Sequence, residues 1–314
     1  MDSGDNLPEV VEEQVPKQHI QVTKPVQVPL YRRDLHPTNL VLSAHDLKEF
    51  SELICEANEH AKELEFAQLD LTGFESADHA RQRVNELIPV DYNYKAQNGD
   101  SVQGQGVPNT DDRNFPDELT GIFLSNASFT ERAANFRPLN TVEVFLGFEK
   151  PSLKIDFQTL PSNPTDNGSV INVEGRNEAW VIATTQKIEE FFQKHKANRP
   201  IIHGSGTYDY LVYLAFLPAM IWLFYKQGGP LSNWLRGQSV FLNVVLGIYG
   251  VLLSLLLARF IFQYVRWLFP PMEYYKRSRV GAFVHRMFAG AVLSAVALGA
   301  TYDLAKSVFA ALLH

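Results

Sequence analysis

The sequence predicts an α+β domain, an antiparallel sheet with flanking helices, followed by an all-α region of three transmembrane helices. Two observations carry this prediction. The last third of the chain holds three long apolar runs separated by basic loops, and the preceding part holds no comparable run. In that preceding part, helical periodicities come first, short alternating segments follow, and another helical periodicity closes it. This order is typical of α+β folds.

The charged residues, like the apolar residues, are distributed unequally between the first part of the chain and its last third. The chain of 314 residues has a formal charge of −7. From Asp209 onward there are nine basic and three acidic side chains, a net +6, so the remaining 19 basic and 32 acidic side chains give the first part −13. An acidic domain is repelled by phosphate backbones, so we expect no nucleic-acid partner. The single cysteine, Cys55, excludes an internal disulfide and agrees with a reducing compartment.

Residues 1–36 are predicted to be a disordered tail. The segment is acidic, contains several prolines and has no apolar core of signal-peptide length. Such a composition buries too little apolar surface to offset the conformational entropy of the chain. A docking peptide is the alternative, because a short extended segment around residues 22–30 could pair with another element.

Residues 37–199 are assigned to the soluble domain, which begins and ends with helices. Ser43 is suited to cap the first helix, and Asp46 suits its positive N-terminal end. Apolar residues then recur every three or four positions, which indicates one buried face. The expected helices cover residues of about 43–64, 76–87 and 177–196.

Strand signals fill the region between the second and third of these helices. Val90 to Lys95 alternates between apolar and polar residues, and Asn98-Gly99 is a strong hairpin turn leading back through Val102. The connections are short, which favours antiparallel neighbours. The remaining strand candidates are residues 121–125, 142–148, 153–157 and 170–173.

Residues 208–314, which follow a short joint at 200–207, are predicted to cross a bilayer three times. The first run contains Pro218, and its 18 residues reach about 27 Å, just enough for a hydrocarbon core. Whether it spans completely is left open. The third run is rich in small residues, which favour close helix packing and self-association in lipid. The three expected helices cover residues of about 208–225, 240–268 and 287–312.

The loops between these runs predict the orientation. The loop that follows the second run is the most basic, and cytoplasmic loops collect lysine and arginine. With three spans, the soluble domain then lies in the cytoplasm and the C-terminus on the opposite side of the cytoplasmic membrane. The basic residues that carry this interpretation are Lys276, Arg277, Arg279 and Arg286.

No motif predicts catalysis, a metal or a cofactor. Glu56 and His60 lie four residues apart on one predicted helix, a spacing that can chelate a metal. No second histidine or cysteine follows at ligand spacing, so no metal site is predicted. The chain also lacks the phosphate-loop, nucleophile-elbow and zinc-protease signatures.

Two polar loops at the edges of the strand region are the candidates for ligand contact. Both combine rigid prolines with asparagine, and ligand-contacting residues concentrate on such loops. Ordinary turns require the same residue types, so the alternative is a purely structural role. The candidate residues are Arg137, Asn140, Asn163, Asp166 and Asn167.

These observations lead to three functional hypotheses. The first is a membrane-tethered cytoplasmic module that binds or senses a ligand or protein partner and relays this to its helices without catalysis. The second is a membrane effector that forms a pore or perturbs the bilayer. The third is an enzyme acting at the membrane surface, with its site in the Arg137 and Asn163 loops. In all three the lipid bilayer is a partner.

Overall fold

A computed structural model describes most of the soluble part of the chain and one complete long apolar helix. The described residues are 29–113, 115–151, 153, 162–165, 167–197, 200–221, 237–276, 284–288, 290–291, 299 and 306. The tail prediction for residues 1–28, most of the strand candidate at 153–157 and nearly all of the third apolar run lie outside them.

Six antiparallel strands form the main sheet. The strands of the protein are β1 (Tyr31–Leu35), β2 (Leu40–Ser43), β3 (Asp91–Ala96), β4 (Ser101–Gln105), β5 (Leu119–Ser125), β6 (Asn140–Gly147), β7 (Val170–Gly175) and β8 (Met272–Tyr275). All except β2 and β8 belong to the sheet, in the order β1-β7-β6-β5-β3-β4. Every neighbouring pair in it is antiparallel, as the short connections predicted.

The named helices are α1 (Ala44–Gln68), α2 (Ala77–Leu87), α3 (Ser128–Ala134), α4 (Glu178–Lys194), α5 (Pro200–His203), α6 (Thr207–Leu211) and α7 (Val240–Leu268). Helices α1 and α4 pack on the sheet. The predicted start of α1 is confirmed, because Ser43 and Asp46 form a reciprocal capping box. Ser76 and Asn177 cap α2 and α4 through their side chains. The predicted antiparallel sheet with flanking helices is therefore confirmed.

The core lies where α1 and α4 pack on the sheet. Phe50 of α1 contacts Phe191 and Phe192 of α4, with ring centroids 5.1 and 5.4 Å apart. The inward-facing apolar side chains of the central strands are fully buried against these helices. Such burial of apolar surface is the main driving force for folding.

Strand β1 occupies a stretch that the sequence assigned to the disordered tail. It is an edge strand that pairs with β7 along its whole length, from Tyr31 opposite Gly175 to Leu35 opposite Ile171. Residues 31–35 therefore belong to the sheet.

Strand β8 was not predicted at all, and it lies beyond α7 in the sequence. It pairs in parallel with β2, with Leu40 opposite Met272 and Leu42 opposite Tyr274. Met272 has no exposed surface and belongs to the same core cluster as α1 and α4. The chain thus returns to the soluble domain after its long apolar helix.

The described residues support one membrane-spanning helix and not the three predicted. Helix α7 has 29 residues, is largely exposed and is long and apolar enough to cross a bilayer. Helix α6 continues through a π-helical segment to Ile221, which makes a shorter apolar helix of the described residues Thr207–Ile221. The multi-pass prediction thus rests on residues that the structure does not describe.

Candidate functional site at the junction of the sheet domain and the apolar helix

The last turn of α7 is fixed to two other segments of the chain by one arginine. Arg266 donates from Nε to the carbonyl oxygen of Ile202 and from Nη2 to that of Asn163, at 3.0 Å each. Its guanidinium also lies 4.6 Å from the centroid of the Phe262 ring, and the residue is buried. The planar guanidinium suits such a two-carbonyl contact, because its N–H groups point in fixed directions.

A buried histidine holds the residue that follows α7. His203 Nε2 lies 2.6 Å from the carbonyl oxygen of Phe269, and Nδ1 lies 3.0 Å from Thr165 Oγ1. Because a carbonyl oxygen can only accept, the Nε2 atom carries the proton in this arrangement. We use the term junction for the contacts of Asn163, His203, Arg266, Phe269, Glu273 and Arg286.

Two basic residues that the sequence assigned to a cytoplasmic loop contact the domain directly. Arg286 pairs with Glu273 of β8 at 2.6 Å and donates twice to the carbonyl oxygen of Leu268. Lys276 Nζ donates to the carbonyl oxygens of Asp112 and Phe115, at 2.7 and 2.6 Å. Their positive charge therefore holds the segment after α7 against the domain.

A cavity of about 430 Å³ opens beside this junction, at the end of the sheet where β5 begins and β6 ends. Its volume is within the range of about 300–1,000 Å³ that is usual for ligand pockets. Lys150 Nζ lies 5.6 Å from the centroid of the Trp267 ring. The apolar and aromatic residues that line it are Leu119, Phe148, Trp267, Met272 and Tyr274. The charged residues at its rim include Glu118, Glu149 and Lys150.

Tyr274 connects this cavity to the core. Its hydroxyl donates to the carbonyl oxygen of Pro116, and its ring lies 6.0 Å from that of Phe148. Burial raises the pKa of Tyr274 above its ordinary value, and the nearby Asp117 adds to the effect. The tyrosine is therefore neutral at physiological pH and acts as a hydrogen-bond donor.

Comparison with known proteins assigns no family. No protein-family model, curated protein or solved structure matches the chain. Function is therefore inferred from the geometry of the described residues.

The five ligand-contact candidates do not form one site. Arg137 is engaged by Glu131 and Glu143, at 2.9 and 3.5 Å. Asn163 lies at the junction, where its main-chain carbonyl accepts from Arg266. Asp166 lies outside the described residues.

The remaining two candidates lie at opposite ends of β6. Asn140 is its first residue, whereas Asn167 bonds Pro37 and Ser169 near its last residue, Gly147. Seven residues of extended strand correspond to about 23 Å. The loop before β6 and the loop after it therefore do not converge, and sequence reasoning missed the junction residues Arg266, His203 and Arg286 as a group.

Asn140 belongs to a buried polar cluster at the far end of the sheet. The amide of Asn126 donates to the side-chain oxygen of Asn58 and the carbonyl of Asn140, and it accepts from the Val142 N–H. Glu65 accepts through one oxygen from the N–H groups of Leu139 and Asn140. These bonds explain why the polar side chains are tolerated in the core.

The carboxyl group of Glu65 has an unusual protonation equilibrium. Burial raises its pKa from 4.5 to about 7, although the N–H groups of Asn140 and Leu139 and the charge of Arg176 act in the opposite direction. The residue is only 6% exposed, so desolvation of the charged form dominates.

One further group has the ligand types of a metal site. Asp46, Glu49 and His195 place one ligand atom each within 4.8 Å of one another. Asp46 already accepts the Ser43 N–H in the capping box, and its other oxygen lies 3.4 Å from His195 Nε2. These contacts account for the group as the connection between the start of α1 and the end of α4.

Proposed function

We propose that the protein is a membrane-tethered binding or sensing module, in which the α+β domain lies in the cytoplasm, the first apolar run crosses the bilayer outward and α7 crosses it back. One observation supports this most directly. The largely exposed apolar helix α7 leads within four residues into Met272, a fully buried core residue of the domain. A conformational change in the domain is therefore transmitted to α7, and a movement of α7 is transmitted to the domain.

The junction supports a rigid connection. Arg266 contributes two charge-assisted hydrogen bonds, each worth about 1.5–3 kcal/mol. His203 and Arg286 hold the carbonyls of Phe269 and Leu268, the two residues on either side of the helix end. A flexible linker would be richer in glycine and serine and would have few such contacts.

The exposed surface of α7 supports the membrane crossing. Its exposed apolar side chains extend from Val240 to Ile261, a length of about 33 Å, which fits a hydrocarbon core of about 30 Å. The basic residues Lys276 and Arg286 lie on the domain side of this surface, which supports a cytoplasmic domain under the positive-inside rule.

Neither alternative hypothesis has a comparable observation in its favour. The pore hypothesis depends on the first and third apolar runs together, and the third is almost entirely outside the described residues. The enzyme hypothesis requires the Arg137 and Asn163 loops to converge, and these loops lie at opposite ends of β6.

Cysteine labelling tests the proposal. Replacing Cys55 by serine gives a background without thiols, into which Gly237→Cys and Asp100→Cys are introduced separately. Gly237 precedes α7 and Asp100 lies in the exposed β3–β4 turn. In intact cells a membrane-impermeant maleimide should label only the first, and in inside-out vesicles only the second.

The outcomes distinguish the parts of the proposal. Labelling of both positions from one side would contradict the crossing by α7. Labelling of the two positions from opposite sides, but with Asp100→Cys labelled in intact cells, would contradict only the cytoplasmic placement of the domain.

A further inference from the structure

We infer that the cavity beside Trp267 binds the headgroup of a membrane phospholipid that carries a primary ammonium group. This inference rests on the proposed crossing of the bilayer by α7. It goes beyond the tether itself, because it assigns a ligand class to a site on the domain.

The depth of the cavity relative to the bilayer supports a lipid ligand. The exposed apolar surface of α7 ends near Ile261, and Trp267 follows six residues later, which is about 9 Å along the helix. The headgroup layer on each side of the hydrocarbon core is about 5–8 Å thick. Trp267 and the cavity that it lines therefore lie at the outer edge of the headgroup layer, within reach of a lipid headgroup.

The charges around the cavity favour a zwitterionic headgroup. Glu118 and Glu149 are exposed at its rim and have no ion pair among the described residues. Glu273 is neutralised by Arg286. Lys150 is then the one described base at the rim, suited to a phosphodiester, while the two free carboxylates are suited to an ammonium group. The excess of acid disfavours an anionic lipid such as phosphatidylglycerol.

The aromatic groups favour a primary over a quaternary ammonium. A quaternary ammonium has no N–H to donate and is bound by open aromatic faces. Lys150 already lies over the ring of Trp267. Tyr274 and Phe148 contact each other. A primary ammonium instead donates up to three hydrogen bonds, which Glu118 and Glu149 can accept.

Lipid binding to the purified full chain tests the inference. Native mass spectrometry in detergent would compare phosphatidylethanolamine, phosphatidylcholine and phosphatidylglycerol of identical acyl chains. We expect phosphatidylethanolamine to bind about tenfold more tightly than the other two, as one charge-assisted hydrogen bond implies. The double variant Glu118→Gln/Glu149→Gln should lose this preference.

A matched control removes the same charge elsewhere. Glu52 and Glu63 lie on the exposed side of α1, and the double variant Glu52→Gln/Glu63→Gln should retain the preference for phosphatidylethanolamine. Equal binding of the three lipids, or equal loss in both double variants, would overturn the inference. Equal affinity for soluble glycerophosphoethanolamine would also overturn it, because the ligand would then be the free headgroup and not the lipid.

The result is separable from that of the tether. Extraction of the wild-type chain from membranes by alkaline carbonate would refute the crossing by α7. A chain that resists extraction but does not discriminate among the lipids would refute the headgroup site alone.

Discussion

Replacing Met272 by alanine should destabilise the soluble domain, even though this residue follows the apolar helix. The side chain has no exposed surface and packs in the same cluster as Leu40 and Leu42 of β2. Truncation of a buried methionine to alanine costs about 2–5 kcal/mol, because apolar contacts are lost and a cavity remains. A loss of about 3 kcal/mol lowers the melting temperature of a domain of this size by about 6–12 °C.

The single native cysteine provides the assay. Cys55 lies on α1 and is partly buried, so a thiol-reactive fluorogenic dye reports unfolding of the domain when the full chain is heated in detergent. Met287→Ala is the control, because Met287 is 60% exposed. Equal melting temperatures for Met272→Ala and Met287→Ala would refute the docking of β8 in the core, and with it the rigid connection.

Three further predictions concern the domain itself. The raised pKa of Glu65 implies that the free energy of unfolding falls by roughly 3 kcal/mol as the pH rises from about 4.5 through about 7. Glu65→Gln keeps a hydrogen-bond acceptor and should abolish this loss of stability. Urea unfolding at about pH 5 and pH 8 measures it, and an unchanged pH dependence in the variant would show that Glu65 is not the group responsible. Burial raises the pKa of Cys55 to about 11, so its alkylation near pH 7 should be about 100-fold slower than in urea, and equal rates would refute this. Asn126→Ala should lower the free energy of unfolding by about 3 kcal/mol, because buried polar groups lose their partners, while exposed Asn85→Ala should change it little.

Helices α1, α2 and α4 and the central strands were predictable because their signals are local. Ser43 and Asp46 are three residues apart, and the capping box that they form involves only the first turn of α1. The Asn98-Gly99 turn likewise connects adjacent strands, β3 and β4, and Gly99 has the positive φ that such turns favour. These features need no knowledge of the distant chain.

Strands β1 and β8 were missed because their signals are not local. Three of the five residues of β1 are charged, as is tolerated on an edge strand whose side chains are largely exposed. Strand β8 has only four residues, too few for a clear alternation, and its partner β2 precedes it by more than 200 residues. Periodicity cannot identify a pairing across such a separation.

The two predicted ligand-contact loops do not form one site because of the topology of the sheet. The Arg137 loop precedes β6 and the Asn163 loop follows it. A further strand at residues 153–157 would have returned the chain to the first end, but most of that candidate lies outside the described residues. Since β6 pairs directly with β7, the connection between them begins and ends at the opposite end of the sheet from Arg137. The contacts of Arg266 and Trp267 with the domain could not be predicted without the fold.

The short distance between α7 and β8 determines how far the helix can move independently of the domain. Three residues separate Leu268 from Met272, and four extended steps span at most about 14 Å. The carbonyls of Leu268 and Phe269 are already held by Arg286 and His203, which removes most of this slack. A shift of α7 by one helical turn, about 5.4 Å, must therefore displace β8 or break these bonds. Because coupling between two sites is reciprocal, a ligand that favours one position of β8 must also favour one position of α7.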